Sequence, residues 1–502
     1  MSDAVSKSRA VCPPGLAEIY VSARLPLVVL FLSAGIWLLI SSVFGLTASL
    51  KFHSPNFLAN FAWLTYGRVR PVANDAFLYG FCLQAGLGVS LWLVSRLGRA
   101  SLVQPFPITV AAMFWNLGVT IGVIGILIGD SSGFENFELP GYAVPFLFLS
   151  FVIMATFVIL TFHGRTIREL YVSQWFLLAA LFWFPWIFST AALLLLVFPV
   201  RGMAQAVIAW WYSNNLQVVC LGLVGIGTLF YLIPRLTRQN LRSRPLALVS
   251  FWFLMLLGSW GGIPNSASVP AWLPTISSVA TILMIIPAIA IGLNIYATTR
   301  LVFPKPFFPE PSPAEEGRSE EAPMVLNFLS VGLIAFLAFS ALNANAAIGE
   351  RPLFFLFAAD VTDFTWFIPA KNFLNTYGFF AMAIFGAVYY IVPVLFPDEK
   401  LCPKLVRIHF FFAVGGIIFT FLPLAIGGLV QGFRLQNATV DFPHILKATL
   451  PFLRAATLGD LLLLGGHVVF FLNVSGLVIR SYRARALRAY AAATAIVPEG
   501  AA

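Results

Sequence analysis

The sequence carries little charge for its length. Only 10% of its 502 residues are Asp, Glu, Lys or Arg, whereas 60% are hydrophobic and the mean hydropathy is +0.90. A water-soluble domain of this size needs a more polar surface, so the composition excludes that class of protein. The chain is therefore predicted to be a polytopic membrane protein.

Cysteine is also scarce. The sequence has only four cysteines, and they are scattered along the chain: Cys12, Cys82, Cys220 and Cys402. They form neither a CxxC nor a CxxCH motif, and their spacing suggests no disulfide framework. This pattern excludes c-type haem attached covalently to this chain.

Long apolar stretches dominate the rest of the sequence, and twelve of them are long enough to cross a bilayer as helices. Helices are expected because unpaired backbone groups in lipid cost several kcal/mol, and these stretches are too long for barrel strands. The predicted fold class is all-α, with twelve transmembrane helices. The predicted spans are 27–50, 75–97, 107–129, 143–163, 172–198, 205–233, 246–262, 271–299, 324–347, 373–396, 407–431 and 458–480.

The basic residues predict the orientation. Most of the 30 Lys and Arg residues lie in the two termini and in the loops after the even-numbered spans. Such loops are typically cytoplasmic, so both termini are predicted to be cytoplasmic. The net charge of +10 is accounted for by contact with anionic lipid headgroups, and no nucleic-acid partner is expected.

Composition divides the chain into five parts. Residues 1–26 are too polar for a cleaved signal and form a cytoplasmic segment, followed by spans 1–8 in 27–303. Residues 304–323, "PKPFFPEPSPAEEGRSEEAP", are predicted to be a flexible cytoplasmic linker. Spans 9–12 then occupy 324–480, and 481–502 form a cytoplasmic tail.

Several sequence blocks carry a resemblance to a known family. The block "AWWYSNNLQVVCLGLVGIGTLFYLIPRL" resembles span six of haem-copper oxidase subunit I, most closely the cbb-type branch. The blocks "LTYGRVRPVANDAF", "MIIPAIAIGLNIYATT", "FGAVYYIVPVLF" and "RIHFFFAVGGIIFTFLPLAIGGLVQG" are similar to segments of the same family, in the same order. The similarity runs from about residue 60 to 480.

This resemblance implies a twelve-helix subunit of a bacterial inner-membrane respiratory complex, with three arcs of four helices. The family carries a low-spin haem, a high-spin haem and a copper ion, all held by histidines of spans two, six, seven and ten. Imidazole suits this task because it is a neutral nitrogen donor for iron and copper.

The family's ligand positions are occupied by other residues in this sequence. The low-spin haem positions correspond to Ala73 in span two and Phe373 in span ten, and the high-spin position corresponds to Lys371. The copper positions correspond to Asn214 in span six and, in a looser alignment, Asn265 in span seven. All five lie on the predicted non-cytoplasmic side. Phe373 is a candidate to fill space that a haem would occupy.

Histidine usage gives the same result without an alignment. The chain has five histidines, none of them between residues 164 and 408, which should supply most of the ligands. Lys371 and His467 are the residual candidates for binding a haem. We therefore expect no catalytic residue, no metal site and no cofactor on this chain, with haem b conceivable only through unusual ligands.

Three functions remain open on the sequence. The first is a non-catalytic subunit that acts as a scaffold for c-type cytochrome or other respiratory subunits. The second is an active terminal oxidase or nitric oxide reductase subunit with unusual haem ligands. The third is a membrane transport protein on a repurposed scaffold, suggested by the polar cluster of Tyr212, Asn214 and Asn215.

Overall fold

The protein is described by a computed structural model that covers residues 15–299, 322–348 and 359–495. Within these ranges it is helical, without a strand, apart from an isolated bridge between Phe134 and Phe137. The main helices are α1 Leu16–Leu50, α2 Tyr66–Gly98, α3 Pro105–Ile128, α4 Val144–His163, α5 Val172–Val197, α6 Met203–Thr237, α7 Arg244–Gly258, α8 Trp272–Thr299, α9 Ala322–Ala346, α10 Phe367–Leu395, α11 Pro403–Leu435 and α12 Phe442–Ala495.

The predicted all-α membrane architecture is confirmed, but the count of twelve long spans is not. Eleven of the helices in the described ranges are long and apolar enough to cross a membrane, and α7, with 15 residues, is shorter. α7 ends at Gly258 because the sequence continues with "SWGGIPN", which is rich in glycine and contains proline.

The ends of the chain differ from the predicted boundaries. α1 begins at Leu16, before the predicted start at 27, and α12 extends well beyond the predicted 458–480 in both directions. Hydropathy locates only the part of a helix within lipid, and polar residues continue the same helix outside it. The predicted linker 304–323 lies almost entirely outside the described residues, as do the first 14 residues and those after 495.

Three helices form the centre of the molecule. The most apolar window is 94% buried in α2, 94% in α6 and 89% in α10, against 50% or less in the other long helices. The outer helices leave large apolar side chains exposed, as expected for contact with lipid, for example Phe182, Leu256 and Leu472. The central helices are the ones that carry four of the five predicted ligand positions.

Each central helix also contains a π-helical stretch close to such a position. These stretches are Ala76–Leu83 in α2, Asn215–Cys220 in α6 and Leu374–Ala381 in α10. They begin within three residues of Ala73, Asn214 and Phe373. A π-helical turn shifts the register of the side chains that follow, and it occurs frequently at functional sites.

Candidate functional site

A cavity of about 390 Å³ lies near the face of the helix bundle where α1 ends and α2 begins, which is here named the outer face for its position relative to these helix ends. Its walls come from α1, α2, α6, α10, α11 and α12, together with the segment between α3 and α4. α1 packs against both α2 and α12, and α11 packs along α12, so helices that contact one another form most of the cavity wall.

The two predicted low-spin haem positions line this same cavity. Ala73 is buried, and its carbonyl oxygen accepts a hydrogen bond of 2.7 Å from the Ser41 hydroxyl. The Phe373 ring stacks on Tyr377 with a centroid separation of 5.3 Å and an interplanar angle of 5°. Phe373 therefore forms part of the wall, but it does not fill the cavity.

His467 is the only histidine in the cavity wall, and both of its ring nitrogens are engaged. Nδ1 lies 2.5 Å from Ser42 Oγ, and Nε2 lies 2.5 Å from the Tyr377 hydroxyl. The Ser42 hydroxyl donates its proton to the Leu38 carbonyl, so it accepts from Nδ1–H, which leaves Nε2 to accept from Tyr377. In this arrangement no nitrogen lone pair of His467 faces the cavity.

The predicted copper positions take part in contacts between helices. The Asn214 amide donates a hydrogen bond of 2.7 Å to the carbonyl of Gly258, at the end of α7. Asn265 is exposed, accepts a hydrogen bond from Ser278 and donates one of 3.3 Å to the Ala347 carbonyl. Asn214 and Asn265 thus use their amides to hold α6, α7, α8 and α9 together.

Lys371 is separate from this cavity and is not among the residues that line it. Its side chain is 9% exposed, and Nζ donates a hydrogen bond of 2.6 Å to Asn343 Oδ1 in α9. The Asp363 carboxylate interacts electrostatically with the Lys371 ammonium. The structure therefore does not bring together Lys371 and His467, the two residual candidates for binding a haem.

A buried carboxyl pair lies between α2 and the segment that follows α3. Asp75 is fully buried and contacts the side chain of Glu138, which is 9% exposed and lines the cavity. Burial raises the pKa of the Glu138 carboxyl to about 7. The Asn74 amide lies 3.4 Å from both Glu138 oxygens and 3.1 Å from Asn136 Oδ1.

The same polar network reaches α6 through two tyrosines. The Tyr79 hydroxyl lies 2.6 Å from the Tyr212 hydroxyl and 2.8 Å from the Asn136 carbonyl oxygen, to which it donates. The Asn136 amide contacts the Ser213 hydroxyl in α6. Tyr212, Ser213 and Asn214 of "WWYSNN" therefore form structural contacts between α2, α6, α7 and the segment after α3.

Comparison with known proteins identifies the family. A family profile described as Cytochrome C and Quinol oxidase polypeptide I matches residues 26–462. The chain therefore belongs to this family of oxidase subunits, which confirms the predicted resemblance.

Individual relatives agree with this assignment. The chain is 23% identical over 468 residues to a Cytochrome c oxidase subunit 1 homolog of Azorhizobium caulinodans, covering 90% of this chain and 81% of that protein. It is 23% identical over 461 residues to the Cbb3-type cytochrome c oxidase subunit CcoN1 of Stutzerimonas stutzeri, covering 87% and 91%. A cryo-EM structure of a heme-copper terminal oxidase dimer matches with a TM-score of 0.65 and 13% identity, covering 91% of this chain and 84% of that one. This likeness shows that the fold is shared.

The family assignment overturns one expectation drawn from the sequence. We expected no cofactor on this chain, but it belongs to a family of cytochrome c and quinol oxidase subunits and shares the fold of a heme-copper terminal oxidase. The expectation was wrong because it treated the loss of known ligands as the loss of every cofactor. The replacement of a ligand residue is informative only about the haem or copper site to which that residue belongs.

The fit of the present residues to those particular sites is poor. Ala73 and Phe373 offer no donor atom, and the nitrogens of His467 and Lys371 are engaged in hydrogen bonds. In the described part of the chain, no group of three or more His, Cys, Asp or Glu side chains is placed to hold a metal ion. We therefore derive no chemical step through a haem or a copper ion.

Sequence reasoning missed two features of the site. It did not anticipate the pair of Asp75 and Glu138, because Glu138 lies in a loop far from Asp75 in sequence. It also did not place His467 against Ser42 and Tyr377. The short acidic segment "FENFE" between two apolar spans was the available signal for the first, whereas the second depends on how three distant helices pack.

Proposed function

We propose that this chain is a non-catalytic, cytochrome c oxidase subunit I-like membrane subunit, which acts as a scaffold for other subunits of a bacterial respiratory complex. The main support for the proposal is that the side chains at the predicted high-spin haem and copper positions form hydrogen bonds to neighbouring helices. Lys371 donates a hydrogen bond to Asn343 in α9, and Asn214 donates one to Gly258 at the end of α7. In this proposal, side chains that connect neighbouring helices by hydrogen bonds replace the histidines that would bind the oxygen-reducing metals.

The proposed topology has twelve crossings, with α7 as the short seventh, arranged as three arcs of four helices in the bacterial inner membrane. Both termini and the linker 304–323 are cytoplasmic in this proposal. The long basic end of α12 supports this orientation. Its arginines Arg480 and Arg488 contact Glu399 and Asp398 in the segment between α10 and α11, which places these charges on one face.

The proposed partners are c-type cytochrome or other redox subunits. The chain should be tagged, captured from mildly solubilised native membranes and examined by mass spectrometry and by in-gel haem staining, which detects covalently bound haem. We expect redox subunits in a fixed ratio to this chain, and none with a tagged, unrelated polytopic protein. Capture of the chain without any redox subunit, even after cross-linking in intact membranes, would contradict the scaffold role.

An active oxidase or nitric oxide reductase with unusual ligands is the alternative that the site favours least. It needs a free donor on Lys371 or His467, but the contacts of both side chains occupy the atoms that would bind iron. Transport on a repurposed scaffold is the second candidate. The cavity of about 390 Å³ near the outer face favours it, because a solute site in a transporter is also an internal cavity lined by polar groups.

A further inference from the structure

The cavity near the outer face has a wall of unusual chemistry. Six aromatic side chains line it: Phe52, Tyr66, Phe77, Trp366, Phe373 and Tyr377. Three carboxyl groups, those of Glu135, Glu138 and Asp460, line it as well, against the single guanidinium of Arg70. Three negative groups against one positive group leave an excess of two negative charges when all are ionised.

The aromatic rings form two groups at different depths. Phe52 contacts Tyr66 at 5.5 Å and Trp366 at 5.8 Å between ring centroids, the latter nearly perpendicular at 89°. This group of three, the outer cage, belongs to segments at the outer face. Phe77 and Phe373 both stack on Tyr377, at 5.8 Å and 5.3 Å between ring centroids, and these three rings form the inner wall, where Tyr377 contacts His467.

Asp460 brings negative charge to the outer cage. Its carboxylate accepts a hydrogen bond from the Ser49 hydroxyl in α1. It also interacts electrostatically with the Tyr66 hydroxyl and with the Arg70 guanidinium. Aromatic faces attract cations through their negative π-electron density, and this attraction is larger where the cation is shielded from water. A cation between these rings and Asp460 would therefore gain from both sources.

We propose that this cavity binds an organic cation, with an ammonium group in the outer cage beside Asp460 and an apolar body against the inner wall. The alternative occupant is a haem, but Ala73 and Phe373 offer it no ligand. A neutral apolar molecule would gain from the rings but would leave the carboxylates without a counter-charge, which is costly inside a membrane protein. The proposal does not depend on the proposed scaffold function.

The first test compares two probes on the unmodified full-length chain in nanodiscs at pH 8, where Glu138 is ionised. Choline and 3,3-dimethyl-1-butanol have nearly the same shape, but only choline carries a charge. Calorimetric titration should show choline binding at least about 10-fold more tightly, and benzyltrimethylammonium more tightly still because its ring reaches apolar surface. Equal affinity for choline and its neutral analogue would overturn the proposal.

Two substitutions locate the site. Asp460→Asn and Trp366→Leu should each weaken binding of benzyltrimethylammonium by about 3- to 30-fold, the range expected from losing one charge contact or one cation–π contact. The matched controls are Asp441→Asn and Trp272→Leu, which alter exposed residues at the same face. Variants are compared only if they elute as a single species with an unchanged denaturation temperature.

The result that would contradict this assignment is unchanged binding in both site variants, or an equal loss in both controls. A haem retained in stoichiometric amounts and displaced by neither cation would also overturn it. The unmodified chain decides the question on its own if a variant does not fold, because the comparison of choline with its neutral analogue needs no substitution.

Discussion

The imidazole of His467 lies 2.5 Å from the Tyr377 hydroxyl on one side and 2.5 Å from Ser42 Oγ on the other. One side chain of α12 thus joins α10 and α1 across the cavity wall. In the hydrocarbon interior an unpaired hydroxyl has no water to bind, so these contacts stabilise the packing of the three helices.

Replacing this histidine should destabilise the fold. His467→Leu removes both hydrogen bonds and leaves the hydroxyl of Tyr377 buried without a partner, which costs about 1–3 kcal/mol for each unsatisfied group. We expect a fall of several degrees in the denaturation temperature in detergent. His444→Leu is the control, because His444 is exposed and pairs only with Asp441. Equal effects of the two substitutions would show that the hydrogen bonds of His467 do not stabilise the helix packing.

Lys371 and Asn343 should behave as a coupled pair. Lys371→Met leaves the Asn343 amide oxygen without its donor, and Asn343→Leu leaves a buried ammonium without its acceptor, so each single change should lower stability by about 1–3 kcal/mol. The double variant should lose less than the sum of the two single losses. A thermal denaturation series of the four proteins measures this coupling, and strict additivity would contradict the hydrogen bond.

The assignment of Ala73 and Phe373 to one haem position can be tested by adding the missing imidazoles. Both residues line the same cavity, so Ala73→His combined with Phe373→His should raise the amount of b-type haem per chain above that of the unmodified protein. The two single variants should raise it less. Pyridine haemochromogen assays measure the change, with the exposed Asn265→His as control, and no gain in the double variant would refute the assignment.

The raised pKa of Glu138 predicts that the free energy of unfolding depends on pH. Burial raises its pKa from 4.5 to about 7, so the folded state holds this proton more tightly than the unfolded state does. Its contribution to stability is complete below about pH 4.5 and is lost as the pH rises through about 7. Asp75, Glu135 and Asn74 are the groups that face it.

The corresponding variant is Glu138→Gln, which keeps the shape and cannot ionise. Between pH 5 and pH 8 its denaturation temperature should fall by less than that of the unmodified chain, by a margin of a few degrees. Glu18→Gln at the exposed start of α1 is the control and should follow the unmodified chain. Parallel curves for all three proteins would mean that Glu138 does not titrate in this range.

The sequence was sufficient for the all-α membrane architecture and for the family, but not for the number of long spans or for the site. Hydropathy located the apolar helices, because lipid requires about 20 apolar residues in a row, and the ordered blocks identified the family. It missed that α7 is short, since glycine and proline after Gly258 end the helix inside an apolar stretch. The stretch 205–233 was predicted as one helix, but its π-helical turn at Asn215–Cys220 leaves no mark in hydropathy.

The contacts within the site were beyond sequence reasoning for a physical reason. His467 contacts residues 425 and 90 positions away, and Asp75 meets Glu138 across a loop. Such pairs depend on how helices rotate and pack, and a single sequence does not contain that information. The expectation that no cofactor is present failed differently, because it inferred a general absence from a few replaced ligands.

The most direct test of the account is oxygen consumption by the purified full-length chain, supplied with ascorbate and a soluble electron mediator. Lys371 and Asn214, at the positions predicted for the ligands of the oxygen-reducing metals, use their side chains in hydrogen bonds, so we predict no cyanide-sensitive uptake of oxygen above that of a heat-denatured sample. Sustained cyanide-sensitive turnover by the isolated chain would contradict the account and establish an active oxidase.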